Sequence, residues 1–310
     1  MRGSRTRSPI KPGITICWLI FIFLPITASA LTFSAPVPDN NIVGTIQTAI
    51  AKPDDTYASI AERYDVGYYS LFESNPGVNP DNPPVGTVLV IPTQYILPKE
   101  LRPNTIVINL AELRLYYQSS NDDQVYIFPL GIGREGWTTP TGKFKIMQKI
   151  EHPHWLVPKS IRAYRAEHGD PVPKVVPPGP DNPLGDYALR LSNPKYLIHG
   201  TNDPVGIGRR SSAGCIRLYP QDIQQLFSMV NKKTKVVIIN DPYKIGSDNQ
   251  QLYVEAHMPL NEQRTAMHGD LSIALNNIRK DLAKTSHDDV NWNKILTIVD
   301  EHIGIPQNAM

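Results

Sequence analysis

The feature that most limits the possible fold is a series of short strand-like segments between Asn104 and Asn240. These segments are rich in β-branched and aromatic residues, which favour strands, and turn-forming residues separate them. The first two flank Ala111-Glu112, as the arms of a hairpin would. We therefore predict a mainly β domain, with strands over residues 105–110, 113–117, 125–133, 143–150, 187–191, 196–198 and 235–239.

One proline-rich stretch interrupts this series. Eight prolines lie between Met147 and Asp186, and a loop of this length in a compact domain is usually a functional lid or a disordered segment. The aromatic residues at its ends, Trp155 and Tyr187, would either pack a lid or anchor the loop to the core. Both alternatives remain open at this point.

The residues before the β domain predict a small module of their own. Residues 31–41 contain two prolines and are typical of a linker. Asp55 is a suitable N-cap for the helix that follows it, because its carboxylate can accept from the first turn. We predict a strand near 42–50, helices over 57–64 and 68–73, and a strand over 86–92 that ends at proline.

The residues after the β domain differ from it in pattern. Residues 252–257 alternate as one strand would, and helical periodicity follows over 261–284 and 290–303. We interpret residues 241–310 as an accessory helical tail without visible chemistry.

The first 30 residues have the pattern of a secretory signal peptide. Four basic residues precede an apolar stretch over 14–26, and Ala28-Ser29-Ala30 supplies a cleavage site, so the mature chain would begin at Leu31. An uncleaved anchor is the alternative, but the stretch is shorter than the roughly 20 residues that a membrane span needs. Cleavage removes four basic residues and no acidic one, so the net charge falls from +2 to −2. A nearly neutral chain gives no argument for nucleic acid as a partner.

The two cysteines, Cys17 and Cys215, are too few for a disulfide scaffold or a cysteine-rich zinc site. Cys17 would leave with the signal peptide, and Cys215 would remain as a lone exported thiol. Its surroundings suit a nucleophile: His199 at the end of a strand is placed as a general base, and Gly214 permits the turn that an oxyanion hole requires. Arg217 lies two positions further on, where it could hold a carboxylate.

Each of these residues also has a plain structural interpretation. A lone cysteine is often a small buried apolar residue, and a lone histidine is often a structural hydrogen-bonding group. Arg217 could simply pair with an acid such as Asp222.

Together, however, these residues resemble the signature of the YkuD-type L,D-transpeptidases: His199-Gly200-Thr201, then Gly208, then Ser212-Ala213-Gly214-Cys215-Ile216-Arg217. Further similar segments are Gly131-Ile132-Gly133, residues 138–144 (TTPTGKF) and residues 178–185 (PGPDNPLG). The resemblance implies a β-sandwich catalytic domain over 103–240 with a capping loop. The enzymes it most resembles are those of the Gram-negative periplasm.

The module over 42–92 resembles a LysM domain. The similarity rests on Asp54-Asp55-Thr56, on Asn75 after the second helix, and on residues 85–92 (VGTVLVIP). LysM domains bind the N-acetylglucosamine-containing glycan strands of peptidoglycan and chitin. A small α/β packing domain without a ligand is the alternative.

The catalytic resemblance implies a mechanism. Cys215 would attack the carbonyl of meso-diaminopimelate in a tetrapeptide stem, and His199 would take the thiol proton and later protonate the leaving D-Ala. The Gly200 carbonyl would orient His199, and the N–H groups of Gly214 and Cys215 would form the oxyanion hole. Tyr187, Ser212 and Arg217 would line the substrate pocket. Many members have a histidine where this chain has Ala213, so His199 would act alone.

No cofactor or metal is expected. His152 and His154 form a His-x-His pair, but no acidic residue or cysteine nearby completes a zinc site.

Three acceptors would give three outcomes. A protein amine would anchor an outer-membrane protein or lipoprotein, a diaminopimelate amine would form 3→3 cross-links, and water would trim stems as an L,D-carboxypeptidase does. The module order and chain length resemble the lipoprotein-anchoring enzymes, so anchoring is the first hypothesis and cross-linking the second. A non-catalytic peptidoglycan-binding protein is the alternative from another functional class.

Overall fold

The computed structural model describes residues 30–36, 40–267, 270–283 and 290–310. The predicted signal peptide lies outside them, apart from Ala30. Within the described ranges, no helix has the length and apolar content needed to cross a membrane.

The described strands, in chain order, are β1 (Leu31–Ser34), β2 (Ile42–Gly44), β3 (Gln47–Ile50), β4 (Val88–Ile91), β5 (Gln94–Ile96), β6 (Thr105–Asn109), β7 (Arg114–Gln118), β8 (Gln124–Pro129), β9 (Ile132–Gly133), β10 (Gly142–Glu151), β11 (Trp155–Leu156), β12 (Val175–Val176), β13 (Tyr187–Leu191), β14 (Leu197–His199), β15 (Arg210–Ser212), β16 (Ile216–Arg217), β17 (Lys235–Ile239), β18 (Tyr243–Asp248), β19 (Gln251–Ala256) and β20 (Gln307–Asn308). The helices are α1 (Tyr57–Tyr64), α2 (Tyr68–Ser74), α3 (Lys159–Glu167), α4 (Pro220–Met229), α5 (Asn261–Met267), α6 (Leu271–Leu282) and α7 (Trp292–Glu301), with a 3-10 turn at Pro204–Gly206.

A nine-stranded sheet forms the centre of the molecule, in the order β1-β8-β7-β6-β17-β10-β13-β14-β16. Most neighbours are antiparallel, but β6 with β17 and β14 with β16 run parallel. Side chains alternate between two apolar cores: Ile106 and Ile108 of β6 enter one, and Val107 enters the other. The predicted mainly β catalytic domain is confirmed.

The hairpin of β6 and β7 begins the catalytic region. The register pairs Asn109 with Arg114, so four residues form the turn instead of the two expected. Leu113 takes a left-handed φ of 54°. Each strand is therefore one residue shorter at the turn than the sequence suggests.

The predicted linker over 31–41 is wrong in its first part. Residues 31–34 form β1, which pairs with β8 from Leu31 opposite Ile127 to Ser34 opposite Gln124. β1 lies at the edge of the sheet, where a proline two residues after the strand removes no ladder hydrogen bond.

The LysM-like module has the predicted βααβ order, with β3 paired antiparallel to β4. α1 and α2, which lie between these two strands in the chain, pack around Tyr57, Ile60 and Leu71. The N-cap of α1 is Thr56 and not Asp55: the Thr56 hydroxyl accepts from the Ser59 N–H at 3.1 Å. The Asp55 carboxylate instead pairs with Arg63.

The proline-rich stretch is not only a loop. It contains a small two-stranded sheet of β11 and β12 and, between these strands in the chain, the helix α3, which has no buried residue. The Tyr164 ring of α3 lies under the Arg134 guanidinium at 4.1 Å and against the Trp137 ring at 6.0 Å. These contacts hold the helix onto the domain as a cap.

The C-terminal region contains the expected helices and also a three-stranded sheet, β18-β19-β20. α6 and α7 pack on this sheet around Leu252, Val254 and Ile298. The prediction included only one of these strands, so the region is a packed α/β unit and not a purely helical tail.

A buried ionic network joins this unit to the rest of the molecule. The Glu255 carboxylate, which is 0% exposed, meets Arg114, Lys244 at 3.2 Å and His257 Nε2 at 2.9 Å. The Nδ1 atom of His257 lies 2.8 Å from Glu73 of α2. We call these residues, together with Glu112, the junction network. Glu112, Glu255 and His257 could hold a metal by geometry alone, but Arg114 and Lys244 already supply the positive charge there.

Candidate active site

The parallel pairing of β14 with β16 brings the signature residues together. Ile198 lies opposite Ile216, and His199 lies opposite Arg217. Side chains alternate along a strand. His199, Cys215 and Arg217 therefore project from one face of this pair, and the two buried isoleucines project from the opposite face. Cys215 is therefore a diagonal neighbour of His199 across the pair.

The turn that carries Cys215 is built around Gly214. Its φ of +103° lies in the region that favours glycine, and a Cβ there would also lie 3.3 Å from the Tyr196 ring. Thr139 Oγ1 donates to the Gly214 carbonyl at 3.0 Å and accepts from the Gly133 N–H at 3.0 Å. These contacts fix the turn to the preceding glycine-rich segment.

The Ser212 side chain also stabilises this turn through two hydrogen bonds to its backbone. Its hydroxyl donates to the Cys215 carbonyl at 2.6 Å and accepts from the Gly214 N–H at 3.1 Å. The Gly214 N–H is therefore engaged in this structure. The Cys215 N–H has no acceptor among the described residues, which leaves it available to an oxyanion.

His199 is 3% exposed, and the Gly200 carbonyl lies 2.6 Å from its Nδ1 atom. A carbonyl can only accept, so Nδ1 carries the proton and Nε2 keeps its lone pair. Burial and then the nearby Arg217 charge lower the pKa of His199 to about 3. The imidazole is neutral at physiological pH, as a general base must be.

The Cys215 thiol is also neutral at rest. Burial raises its pKa above the ordinary value of 9.0, although the Leu197 N–H and the charge of Arg217 act in the opposite direction. The Sγ atom lies 4.0 Å from the Lys195 carbonyl. The arrangement suits removal of the thiol proton during attack on a substrate, in place of a preformed thiolate.

The pair faces a cavity of about 430 Å³ beneath the α3 cap. Three cationic side chains line it, those of Arg190, Lys195 and Arg217. The Nε atom of Arg217 is buried and has no hydrogen-bond acceptor among the described residues. The alternative pairing of Arg217 with Asp222 is absent from the described contacts.

The structure does not bring every predicted residue to this cavity. Tyr187 is on β13 but, by alternation, points away from Ala188 and Arg190, and its ring packs against Phe227 with centroids 4.9 Å apart. It anchors the loop end to the core. Ser212 lines the cavity wall, but its hydroxyl is occupied within the turn.

Sequence reasoning missed Thr139, Arg190 and Lys195. Thr139 lies in the TTPTGKF segment. The similarity of this segment to the family indicated that the segment matters, but it did not indicate what Thr139 does. Arg190 lies on the same face of β13 as Ala188, and both line the cavity. The alternation of side chains along the predicted strand 187–191 could therefore have identified it. His154 lines the cavity, and His152 lies 3.5 Å from Asp186 at an exposed position.

Comparison with known proteins agrees with this architecture. The family model for the YkuD L,D-transpeptidase catalytic domain matches residues 103–238, and that for the LysM domain matches residues 50–92. The chain is 41% identical to the "Probable L,D-transpeptidase YcfS" of Escherichia coli, over 86% of this chain and 88% of that protein. It is 36% identical to the "Probable L,D-transpeptidase YbiS" of E. coli, over 90% and 92%.

Among solved structures, the catalytic domain of the Enterococcus faecium L,D-transpeptidase aligns with 45% of this chain and 99% of its own length, at 22% identity and a TM-score of 0.34. The identity to the two E. coli proteins extends across nearly the whole of each and carries the assignment. This chain belongs to the L,D-transpeptidase family and is a cysteine-dependent transpeptidase of peptidoglycan with a LysM domain.

Proposed function

We propose that Cys215 forms a thioester with the diaminopimelate carbonyl of a tetrapeptide stem and releases D-Ala, and that an amine acceptor then resolves this acyl-enzyme. His199 takes the thiol proton as the C–S bond forms and gives it to the leaving amine. The reaction takes place in the periplasm, after export and removal of residues 1–30.

The observation that carries this proposal is the Cys215–His199 diagonal beside an open cavity. The Gly200 carbonyl fixes the tautomer that leaves Nε2 as a base, and the low pKa of His199 keeps that base unprotonated. The Cys215 N–H supports the oxyanion. The role of Gly214 is to hold the turn, with its own N–H recruited only if Ser212 releases it.

The charge of the cavity supports an anionic donor. A tetrapeptide stem ends in the carboxylate of D-Ala, and diaminopimelate carries a second carboxylate on its side chain. Arg190, Lys195 and Arg217 offer three cationic groups to these carboxylates. The buried Arg217 Nε without an acceptor is the group most in need of such a partner.

The LysM domain supports recruitment to glycan strands. It is attached to the catalytic domain near the active-site loop: the Tyr69 N–H of α2 donates to the Gly208 carbonyl at 3.1 Å. A Cβ at Gly208 would lie 2.1 Å from the Tyr68 nitrogen, so this approach requires glycine. Glycan binding would therefore hold the catalytic cavity at a fixed distance from the strand.

For the acceptor, we propose a protein amine, so that the enzyme anchors an outer-membrane protein to peptidoglycan. The supporting feature is the LysM-first order over a chain of this length. Formation of 3→3 cross-links and stem trimming are the competing outcomes.

Intact-mass analysis tests the chemistry. Incubation with diaminopimelate tetrapeptide muropeptides should add one tripeptide muropeptide to the protein as an acyl group and release D-Ala. Cys215→Ala should abolish both, whereas Ser228→Ala, a change at an exposed serine of α4, should leave both unchanged. An unmodified wild-type protein with no D-Ala release would refute the thioester mechanism.

Muropeptide analysis tests the acceptor. Sacculi from cells with and without the gene should differ in peptidoglycan-bound protein if anchoring is correct. A change confined to 3→3 dimers, or to tripeptide stems, would replace anchoring by cross-linking or trimming.

A further inference from the structure

Two buried carboxyl groups, Asp65 and Asp222, meet where the LysM domain packs against the catalytic domain. Asp65 is the C-cap of α1, and Asp222 lies in the first turn of α4. Their exposed fractions are 3% and 0%. No other side chain among the described residues donates to their four carboxyl oxygens; the two carboxyl groups lie beside each other, and the Leu31 N–H lies near Asp65 without forming a well-aligned hydrogen bond.

Such a pair needs positive charge. Burial raises the pKa of both groups, and each carboxyl acts on the other, so one shared proton can neutralise one of the two charges. No lysine or arginine in the described part of the chain contributes to the pKa of either group. The two carboxyl groups also affect the pKa of nearby tyrosines: Asp65 acts on Tyr95, and both act on Tyr219, on which Glu62 acts as well. None of these neighbouring groups is a cation. Near neutral pH, where Asp65 is itself partly protonated because its pKa is raised to about 7, the negative charge that remains on the pair has no cationic partner among the described residues.

The start of the predicted mature chain lies against this pair. The Leu31 N–H is close enough to the Asp65 carboxyl to lower its pKa. The preceding residue is held on α4, where the Ala30 N–H donates to Gln225 Oε1 at 3.1 Å, one turn after Asp222. The pairing of β1 with β8 fixes the position of Leu31, whose side chain packs on the apolar core of the LysM domain.

We propose that Asp65 and Asp222 form a binding site for the α-ammonium group of Leu31, which is created when the signal peptide is removed. The proposal rests on the export and cleavage given under Proposed function. Hydrolysis breaks the Ala30–Leu31 C–N bond with one water: the Ala30 carbonyl gains the hydroxyl, and the Leu31 nitrogen becomes a primary amine that takes up a proton. That ammonium and the shared proton then balance the two carboxyl groups.

This site would make the strength of LysM docking depend on processing, because the domain is already packed in the structure that retains Ala30. Before cleavage, the nitrogen at position 31 is a neutral amide that can donate once. After cleavage, the same nitrogen has three donors and a full positive charge next to one carboxyl from each domain. The mature amino terminus would thus connect the LysM domain to α4.

The amine itself provides the test. A removable fusion yields a chain that begins at Leu31, and a second chain keeps Ser29-Ala30 in front of it. Acylation of the terminal amine is followed by peptide mass across a pH series, in wild type, in Asp65→Asn and Asp222→Asn, and in Asp81→Asn as an exposed control. Thermal unfolding is measured on the same samples.

In the Leu31-start protein, the pKa of the terminal amine should rise by at least about one unit above the ordinary range of about 7.7–8.0. Acylation near neutral pH should accordingly be at least about tenfold slower than in the Asp→Asn variants. Asp81→Asn should behave as wild type. The Leu31-start chain should also unfold at a higher temperature than the extended chain, and this difference should disappear in Asp65→Asn.

An ordinary amine pKa in the folded wild type would overturn the proposal. That measurement compares the folded with the urea-unfolded wild-type chain, so it stays decisive even if an Asp→Asn variant fails to fold. An exported protein whose intact mass begins at a residue other than Leu31 would also overturn it. Neither readout uses transpeptidase activity, so failure here is distinguishable from failure of the thioester mechanism.

Discussion

Two buried histidines in this protein have opposite electrostatic environments. His199 in the active site is 3% exposed, and burial with the Arg217 charge lowers its pKa to about 3. His257 in the junction network is 1% exposed, and burial also acts to lower its pKa, but the carboxylates of Glu73 and Glu255 outweigh burial and raise it to about 9. One is a neutral base, and the other is a fixed cation.

The difference lies in the groups that each ring meets. Both nitrogens of His257 face carboxylates, at 2.8 and 2.9 Å, so the imidazolium is fully satisfied and has no lone pair to offer. No carboxylate contributes to the pKa of His199, and the proton on Nδ1, which faces the Gly200 carbonyl, leaves the lone pair on Nε2. Similar burial therefore gives a structural ion pair in one region and, in the other, a neutral imidazole that suits the base we propose.

Substitution of each histidine by glutamine should separate the two roles. The largest effect on activity is expected for His199. His199→Gln removes the base but keeps a hydrogen-bonding side chain, so kcat/KM should fall by about 10²–10⁴ with little change in the unfolding temperature. His257→Gln should keep kcat/KM near wild type at a temperature where it is folded. Steady-state release of D-Ala measures both, and equal activity losses in the two variants would contradict the assignment of roles.

Removal of the network's central charge should destabilise the protein. Glu255→Gln leaves Arg114, Lys244 and His257 with too little negative charge, and loss of one partner from a buried ion pair lowers the free energy of unfolding by about 3–5 kcal/mol. Urea denaturation measures this change. Glu167→Gln, at an exposed position of α3, is the matched control and should change the free energy by less than about 0.5 kcal/mol. Equal stability of the two variants would show that the network contributes nothing.

The pH dependence of stability should report on His257. Its pKa is raised on folding, so its contribution is complete below the ordinary value of 6.5 and is lost as pH rises through about 9. The size implied by that shift is about 3 kcal/mol. Wild type should therefore lose stability across this interval, and His257→Gln should lose much less. Parallel curves for the two proteins would contradict a charged His257.

The smallest effect is expected in the Cys215 turn. Ser212→Ala breaks the two hydrogen bonds that hold the Gly214 N–H and the Cys215 carbonyl, so kcat should fall by about tenfold, the equivalent of one hydrogen bond of about 1.4 kcal/mol. KM should change little, because the hydroxyl faces the turn and not the cavity. A large rise in KM with unchanged kcat would instead assign Ser212 to substrate binding.

The same comparison shows what the sequence could reveal. His199, Gly214 and Cys215 lie within 17 residues of one another and form a local signature, so their proximity could be predicted. The junction network combines residues from three regions of the chain, and no local pattern marks such a set: Glu73, Glu112, Arg114, Lys244, Glu255 and His257. Its existence depends on tertiary packing alone.

Local pattern also failed where packing decided the structure. The strand at Leu31–Ser34 exists because β8 offers an unpaired edge, and its four residues resemble a linker without that neighbour. α3 lies in a segment bounded by prolines and buries none of its residues fully, so it has no core-facing apolar pattern of the kind that marks a helix in the sequence. Asp55 and Thr56 are both good caps, and the choice followed from Arg63, which engages the Asp55 carboxylate.

The thiolate content of the substrate-free enzyme as a function of pH distinguishes a neutral Cys215–His199 pair from a thiolate–imidazolium pair. Ultraviolet thiolate absorbance, corrected with Cys215→Ala, gives this curve for the mature chain, in which Cys215 is the only cysteine. We expect the midpoint of thiolate formation to lie above pH 9, because burial raises the pKa of Cys215 above its ordinary value of 9.0. A thiolate that is present near neutral pH in the wild type and absent from His199→Gln would show that the thiolate–imidazolium pair forms before the substrate binds, so that neither group is neutral at rest.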